Sequence, residues 1–330
     1  MKKTLLSLTF CFSLFNAQTT VTKAFNDPVV GDVANYVILA GTPDNSATGA
    51  NTTFNNASLT QGGGSPGIYS APTSAEIASY PGSTLKYVNG SNTIFYKQTA
   101  SKLEITALVT ADATLNLSAN NGTFITYPAA FSYSETDQAQ GTFTSATLSG
   151  LCKGSISNSG DATGTLIVGP KTYTNVLRIK SVQNFNLHLP TDTLFLFPIG
   201  TIVNTSYNYY DSTHKFALLS TSQVVVNVAA AGINNQTTDG AQGLNEIFLA
   251  VQNSKLKNNF EFYPNPVTDV VHFRNAENAN VVIYNLDGKV LKQFNKTQDA
   301  VQVADLPSGV YFITAEKDGA VSETKKLIKK

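Results

Sequence analysis

Glycoside hydrolysis needs two carboxylates about 5 to 9.5 Å apart across a cleft, and Glu104, Glu135, Asp137, Asp161, Asp192 and Asp211 are available for that role. Their spacing pairs no two of them. Glu135 and Asp137 flank Thr136 in a run where a solvated strand end accounts for both. His188, His214 and His272 stand far apart, and the chain has neither a His-Glu-x-x-His run nor a Cys/His pair to hold a transition metal. Asn158, Gly160 and Asp161, like Asp44 and Asn45, offer the oxygen ligands that calcium takes from loops, but simple Asx turns explain both groups. Gly63-Gly64-Ser65-Pro66-Gly67 has the letter pattern of an esterase nucleophile elbow. Pro66 has no N–H to give an oxyanion hole, so the pattern carries no chemistry.

The densest polar aromatic group is Tyr207, Tyr209 and Tyr210 with His214. Sugar-binding clefts stack a ring on an aromatic face, and in a chain with Trp 0 and Tyr 14 the tyrosines must supply it. Strand alternation puts Tyr207 and Tyr209 on one face and Tyr210 on the other. These residues are the candidate ligand contacts, set against the plainer reading of cross-strand packing. Arg178 and Lys180, two apart among Val176, Leu177, Ile179 and Val182, mark a solvent face. Cys152 reads as a small buried hydrophobe, since no base or basic cluster flanks it. No catalytic set, metal site or cofactor is read from the chain.

The elements that carry these residues are strands. Period-two alternation with Gly and Asn punctuation recurs throughout, and no long amphipathic helix is evident. Strands are expected at Tyr36–Ala40, Leu85–Val88, Thr93–Gln98, Leu103–Val109, Thr114–Ser118, Thr123–Tyr127, Gly141–Ser149, Thr163–Val168, Val176–Val182, Thr193–Phe197, Thr205–Tyr210, Phe216–Ser220 and Gln223–Ala229. Asn89-Gly90 and Asn121-Gly122 supply hairpin chemistry. Gly41 to Gly67 reads as a long surface loop and Ala230 to Gly243 as weakly structured. The fold class is all-β, with a β-sandwich or jelly-roll expected for this part.

Lys2 and Lys3, the apolar Leu5 to Phe15 and Asn16-Ala17-Gln18 form the parts of a secretory signal. The apolar run is shorter than the roughly 20 residues a membrane span requires, and no later run is longer. Lys+Arg 22 balances Asp+Glu 22, and loss of Lys2 and Lys3 leaves a slight acidic excess. A nucleic-acid partner is excluded, since its surface wants a basic excess. With the signal removed Cys152 is the sole cysteine, so no intramolecular disulfide forms and the core must hold the fold. The domains expected are a signal peptide over 1–18, a β-rich passenger over 19–258 and a final domain over 259–330.

That final domain shows its strands cleanly: Val270–Arg274, Val281–Asn285, Lys289–Phe294, Val301–Val303, Val310–Glu316 and Ala320–Leu327. Asp287-Gly288 and Asp318-Gly319 mark hairpins, and a compact antiparallel sandwich is the natural solution. Four blocks stand in order: Tyr263-Pro264-Asn265-Pro266, Val282 to Val290 around Gly288, Leu306-Pro307-Ser308-Gly309-Val310-Tyr311-Phe312, and the basic Lys325-Lys326-Leu327-Ile328-Lys329 end. With these blocks the segment resembles the type A C-terminal sorting domain of the type IX secretion system of Bacteroidota. The resemblance implies an immunoglobulin-like β-sandwich, partnered by the type IX translocon and its C-terminal signal peptidase, and a passenger released or attached to surface lipopolysaccharide. Pro264 and Pro266 are expected to keep the first strand extended, and Gly288 and Gly309 to occupy turns of positive φ. Gly164 to Lys180 and Tyr209 to Leu219 resemble a stretch recurrent in passengers of the same system, which adds no mechanism.

The expectation is therefore a secreted or surface protein whose passenger is a non-enzymatic adhesive, binding or structural β-domain, meeting a glycan or a cell surface. The alternative is a secreted hydrolase acting on polysaccharide.

Overall fold

The computed structural model describes residues 18–248, 261–274, 278–295, 300–317, 320–321 and 324–330. The expected signal peptide up to residue 17, the Lys255–Asn259 join and the Asp318-Gly319 hairpin lie outside the described residues. The chain divides into two compact units, Met1–Leu249 and Ala250–Lys330.

The strands of the first unit begin with β1 (Val33–Ala34), β2 (Tyr36–Ala40), β3 (Gly49–Asn56), β4 (Thr60–Gly64) and β5 (Gly67–Ser70). Next come β6 (Leu85–Asn89), β7 (Asn92–Gln98), β8 (Lys102–Val109), β9 (Ala113–Asn120), β10 (Gly122–Thr126) and β11 (Ser134–Ser145). The longest follow: β12 (Ser149–Val168), β13 (Lys171–His188), β14 (Pro198–Tyr210), β15 (Leu219–Val228) and β16 (Ile233–Leu244). All belong to one 16-stranded sheet. From β5 to β16 each strand lies beside its chain neighbour, except that β10 steps aside to pair with β8. Short hairpins such as Asn89 to Asn92, with Gly90 at φ +58, make this antiparallel meander the direct outcome. β1 pairs with β5 and β2 with β16, and only Asn35 separates β1 from β2, so the run Val33–Ala40 joins the two ends of the meander. A sheet joined in this way protects its edges.

β12 and β13, of 20 and 18 residues, serve two cores. Cys152, Ile156, Leu177, Ile179, Phe185 and Leu187 enter one core with Leu85, Leu103, Leu117 and Phe143. Ala162, Leu166, Val168 and Val176 enter the other with Val37, Leu39, Phe54 and Leu59.

Several expectations are corrected. The Gly41 to Gly67 stretch contains β3 and β4, because its Asn/Thr-rich β3 runs parallel to the second half of β12 and buries Phe54 completely. Ala230 to Gly243 contains β16, which pairs with β15 along nearly its whole length. Thr193–Phe197 is a turn region rather than a strand, organised by the Asp192 carboxylate accepting from the Leu196 and Phe197 N–H groups. Asn121-Gly122 is no hairpin, since Gly122 opens β10 opposite Ile105. Asn158, Gly160 and Asp161 lie within β12, not in a turn.

The second unit comprises β17 (Glu261–Tyr263), β18 (Val270–Arg274), β19 (Asn280–Tyr284), β20 (Val290–Phe294), β21 (Ala300–Gln302), β22 (Gly309–Lys317), β23 (Ala320–Val321) and β24 (Lys325–Lys329). β17, β18 and β21 form one sheet, and β19, β20, β22, β23 and β24 the other. Val271, Phe273 and Val301 of the first meet Ile283, Ile313 and Leu327 of the second in one core, which makes the unit a sandwich. Gly288 has φ +79 in the β19–β20 turn. Gly309 is corrected: it opens β22 opposite Lys329 and has no positive φ, since a residue inside an antiparallel ladder is extended. Pro264 and Pro266 follow β17 rather than lying in it, so β17 ends at Tyr263.

Candidate functional site

The meander encloses a cavity of about 600 Å³. One wall is apolar, built by Ile94 and Tyr96 of β7, Leu103 and Ile105 of β8, and Leu115 and Leu117 of β9. β10 adds both Phe124 and Ile125, because an irregularity in its register against β8 lies between Thr123 and Ile125. The facing wall is polar, built by Gln183 of β13, Asn204, Ser206 and Asn208 of β14, Ser220 and Ser222 of β15, and Gln242 of β16. The register sets these side by side: Gln183 opposite Asn204, Ser206 opposite Ser222, Asn208 opposite Ser220, and Ser220 opposite Gln242. Among the described residues the Asn204 Oδ1 is buried without a hydrogen-bond partner.

Tyrosines bridge the walls. Tyr36, Tyr69, Tyr87, Tyr96 and Tyr210 all line the cavity, and Tyr69 lies 4.7 Å from Tyr87 and stacks on Phe216 at 5.4 Å between ring centres. Burial pushes the Tyr36 and Tyr69 phenols well above their ordinary range, and the neighbouring phenols push them further. Burial alone raises Tyr210 to about 12. Ser220 counters part of the rise at Tyr36, as Gln242 and Asn89 do at Tyr87, where burial is the larger influence. Among the described residues the hydroxyls of Tyr69, Tyr96 and Tyr210 have no hydrogen-bond partner.

Among the described residues no carboxylate, histidine or cysteine lines the cavity, and the one basic group is Lys215. Lys215 Nζ is met by Asp32 Oδ2 at 2.6 Å. Ile38, 53% exposed and opposite Gln242, also lines the cavity.

The candidate ligand contacts separate. Tyr210 faces the cavity. Tyr209 is fully buried in the second core, edge-on to Phe54, its hydroxyl donating to Asn45 Oδ1 at 2.8 Å. Tyr207 covers Arg178 at 4.9 Å. His214 lies between Asp211, 2.9 Å from Nδ1, and Glu246, 3.0 Å from Nε2. Arg178 is corrected from a solvent-face residue: it is 0% exposed, forks onto Asp161 and donates to the Asn45 carbonyl oxygen. Glu135 and Asp137 are not solvated ends either. Glu135 accepts from Tyr133 and Thr126, and Asp137 from the N–H and hydroxyl of Thr123. Cys152 is buried in the first core, and burial raises its thiol to about 11.

In the second unit three of the four sequence blocks gather around β24. The Asn265 amide donates to the Lys326 carbonyl oxygen and accepts from the Ile328 N–H, both at 2.8 Å. Val267 continues the contact in parallel with Lys329. From the other side β22 pairs Gly309 with Lys329, Tyr311 with Leu327 and Phe312 with Lys326, while Lys325 faces Ile313. Tyr311 donates its hydroxyl to the Pro307 carbonyl oxygen at 2.7 Å, and Leu306 is buried in the core. Tyr263, 47% exposed, stacks on His272 at 5.6 Å with the Arg274 guanidinium 5.2 Å from its ring.

Residues 261–330 match the family described as the secretion system C-terminal sorting domain. This segment is a sorting domain of that family. The sorting domain supports secretion of the chain by the type IX route. No curated protein and no solved structure matches the chain. No helix among the described residues is long and apolar enough to cross a membrane.

Tyr210 was a candidate from the sequence, whereas Tyr36, Tyr69, Tyr87 and Tyr96 and the polar wall were missed by sequence reasoning. The wall's signal was present as Asn204-x-Ser206-x-Asn208-x-Tyr210, but polar alternation reads as a solvent face when the sheet is not known to close around a cavity.

Proposed function

We propose that the passenger is a non-catalytic binding protein, carried out of the cell by its sorting domain and either released or held at surface lipopolysaccharide. What supports the reading is the cavity itself: it is large enough for a small molecule, it presents hydroxyl and amide groups, among them the unpartnered Asn204 Oδ1, and among the described residues its lining holds no carboxylate, histidine or cysteine. The carboxylates a glycosidase would need are engaged elsewhere. Glu104 pairs with Lys97, Asp161 with Arg178, Asp192 with His188 and Asp211 with His214.

The test is thermal unfolding of the full chain against a panel of small molecules and polysaccharides, with reducing-end release assayed on the same samples. A ligand at about 100 times its Kd adds roughly 2.7 kcal/mol. A rise in Tm without product supports binding. Release of reducing ends that is lost in Asp211→Asn or Glu135→Gln overturns it in favour of polysaccharide hydrolysis.

A further inference from the structure

The geometry points to a neutral amphiphile as the ligand of the cavity: a compact apolar body carrying at least one hydroxyl, carbonyl or ether oxygen and no charge. This rests on the reading of the passenger as a binding protein and adds the chemical class.

The two walls differ in kind. Leu103, Ile105, Leu115, Leu117 and Phe124 present only hydrocarbon and ring surface on one side. Across from them stand the amides and hydroxyls of β13 to β16. A hydrocarbon ligand would leave the buried Asn204 Oδ1 and the free tyrosine hydroxyls unpaired, and an unpaired buried polar group is costly. A fully polar ligand would lose its hydration against the β7–β10 wall without replacement. Only a molecule with both surfaces satisfies both walls.

Charge is selected against by the same lining. A buried ion needs a partner, and Lys215, the one cation lining the cavity among the described residues, is already neutralised by Asp32. The tyrosines cannot substitute, since their raised pKa keeps them uncharged donors at neutral pH. They are therefore suited to a carbonyl or ether oxygen as acceptor, while Asn204 Oδ1 is suited to a ligand hydroxyl or N–H.

The experiment uses the full chain and two fluorescent probes of similar aromatic size: prodan, a neutral naphthyl ketone, and anilinonaphthalene sulfonate, an anion. Prodan is expected to bind saturably, at least about tenfold more tightly than the anion, a difference of about 1.4 kcal/mol. Ser206→Phe, which fills the cavity, should weaken prodan at least about tenfold. Tyr210→Phe keeps the ring and removes one donor; it should weaken prodan about two- to tenfold, as expected for one hydrogen bond, and move its emission to the blue. Equal or tighter binding of the anion overturns the neutral class while leaving a binding protein. Prodan binding that is unchanged in both folded variants, or absent altogether, overturns the cavity as the site. Hydrolytic turnover in the preceding assay is the separate result that removes the binding-protein reading itself.

Discussion

Arg178 and Asp161 form a forked ion pair between adjacent strands, Nε to Oδ1 at 2.9 Å and Nη2 to Oδ2 at 2.8 Å, with the arginine wholly buried. Its guanidinium lies among the rings of Tyr207, Phe54 and Tyr209 at 4.9, 5.3 and 5.9 Å. A third donor, Nη1, holds the Asn45 carbonyl oxygen at 2.9 Å, so one side chain fastens the segment before β3 to the sheet. Burial is the largest single influence and opposes the charge, but the Asp161 and Tyr209 contacts together outweigh it and raise the Arg178 pKa.

Removing the arginine leaves Asp161 and Asn45 without their donor. Arg178→Met is expected to destabilise the passenger by about 3 kcal/mol, the lower end for a broken buried pair because Asp161 keeps some access to water. For a unit of this size that corresponds to about 6–12 °C in Tm. The double change Arg178→Met with Asp161→Leu should recover part of the loss, since an apolar pair of similar volume avoids the desolvation of two charges. A single-variant loss under about 1 kcal/mol in chemical denaturation would show that the pair contributes nothing beyond a surface bridge.

Arg178 also shows where sequence and structure part. β2 (Tyr36–Ala40) and β18 (Val270–Arg274) were legible to the residue, β2 as a short unbroken apolar run and β18 through its buried Val271 and Phe273 either side of an exposed His272. Alternation cannot say which side a charged residue takes, and Arg178 sits between Leu177 and Ile179 in a strand that feeds two cores. β16 was illegible for a related reason. Its residues 234–240 are exposed at every position, and the cavity is lined by Gly240, Ala241 and Gln242 at its far end, so no hydrophobic period marks it. β3 hides in an Asn/Thr-rich run because its pairing partner, the far half of β12, lies about a hundred residues on in the chain, beyond any local signal. The sorting domain was the most legible part, since its turns and blocks are local.

The cavity tyrosines make alkaline stability a direct readout. A group whose folded pKa is raised contributes stability that is complete below its unfolded value, near 10, and is lost as pH rises through the folded value. With Tyr210 at about 12 and Tyr36, Tyr69 and Tyr96 also raised, stability should fall from about pH 10 upward. In a spectrophotometric titration these phenols should ionise late and together with unfolding. Ionisation of all the tyrosines near pH 10 in the folded protein would show that the cavity is an open, water-filled cleft.

Cys152 offers a probe of the same core at milder pH. It lies opposite Gly141 and Leu187, fully buried, with burial raising its thiol to about 11 against a weaker opposing contact from the Gly141 backbone. At pH 8 about one molecule in a thousand then carries the thiolate that reacts with a disulfide dye. The native protein should stay unlabelled for hours and react within minutes in denaturant. Rapid labelling of the native chain would mean that the β11–β12–β13 core opens locally.

In the sorting domain, Asn265 joins the first sequence block to the last by two hydrogen bonds that bracket Leu327, whose side chain is in the core. Asn265→Ala removes both and should cost the unit about 1–2 kcal/mol, while Asn265→Asp keeps the acceptor for Ile328 N–H and should cost less. In the secreting cell, deletion of residues 261–330 should leave the passenger inside the envelope, and Asn265→Ala should reduce export in proportion to the unfolding of the tail. Should Asn265→Ala block export while leaving the stability of the unit unchanged, Asn265 would be read by the export machinery directly rather than acting through the seating of β24. Full export of the deleted chain would remove the sorting role of this segment altogether.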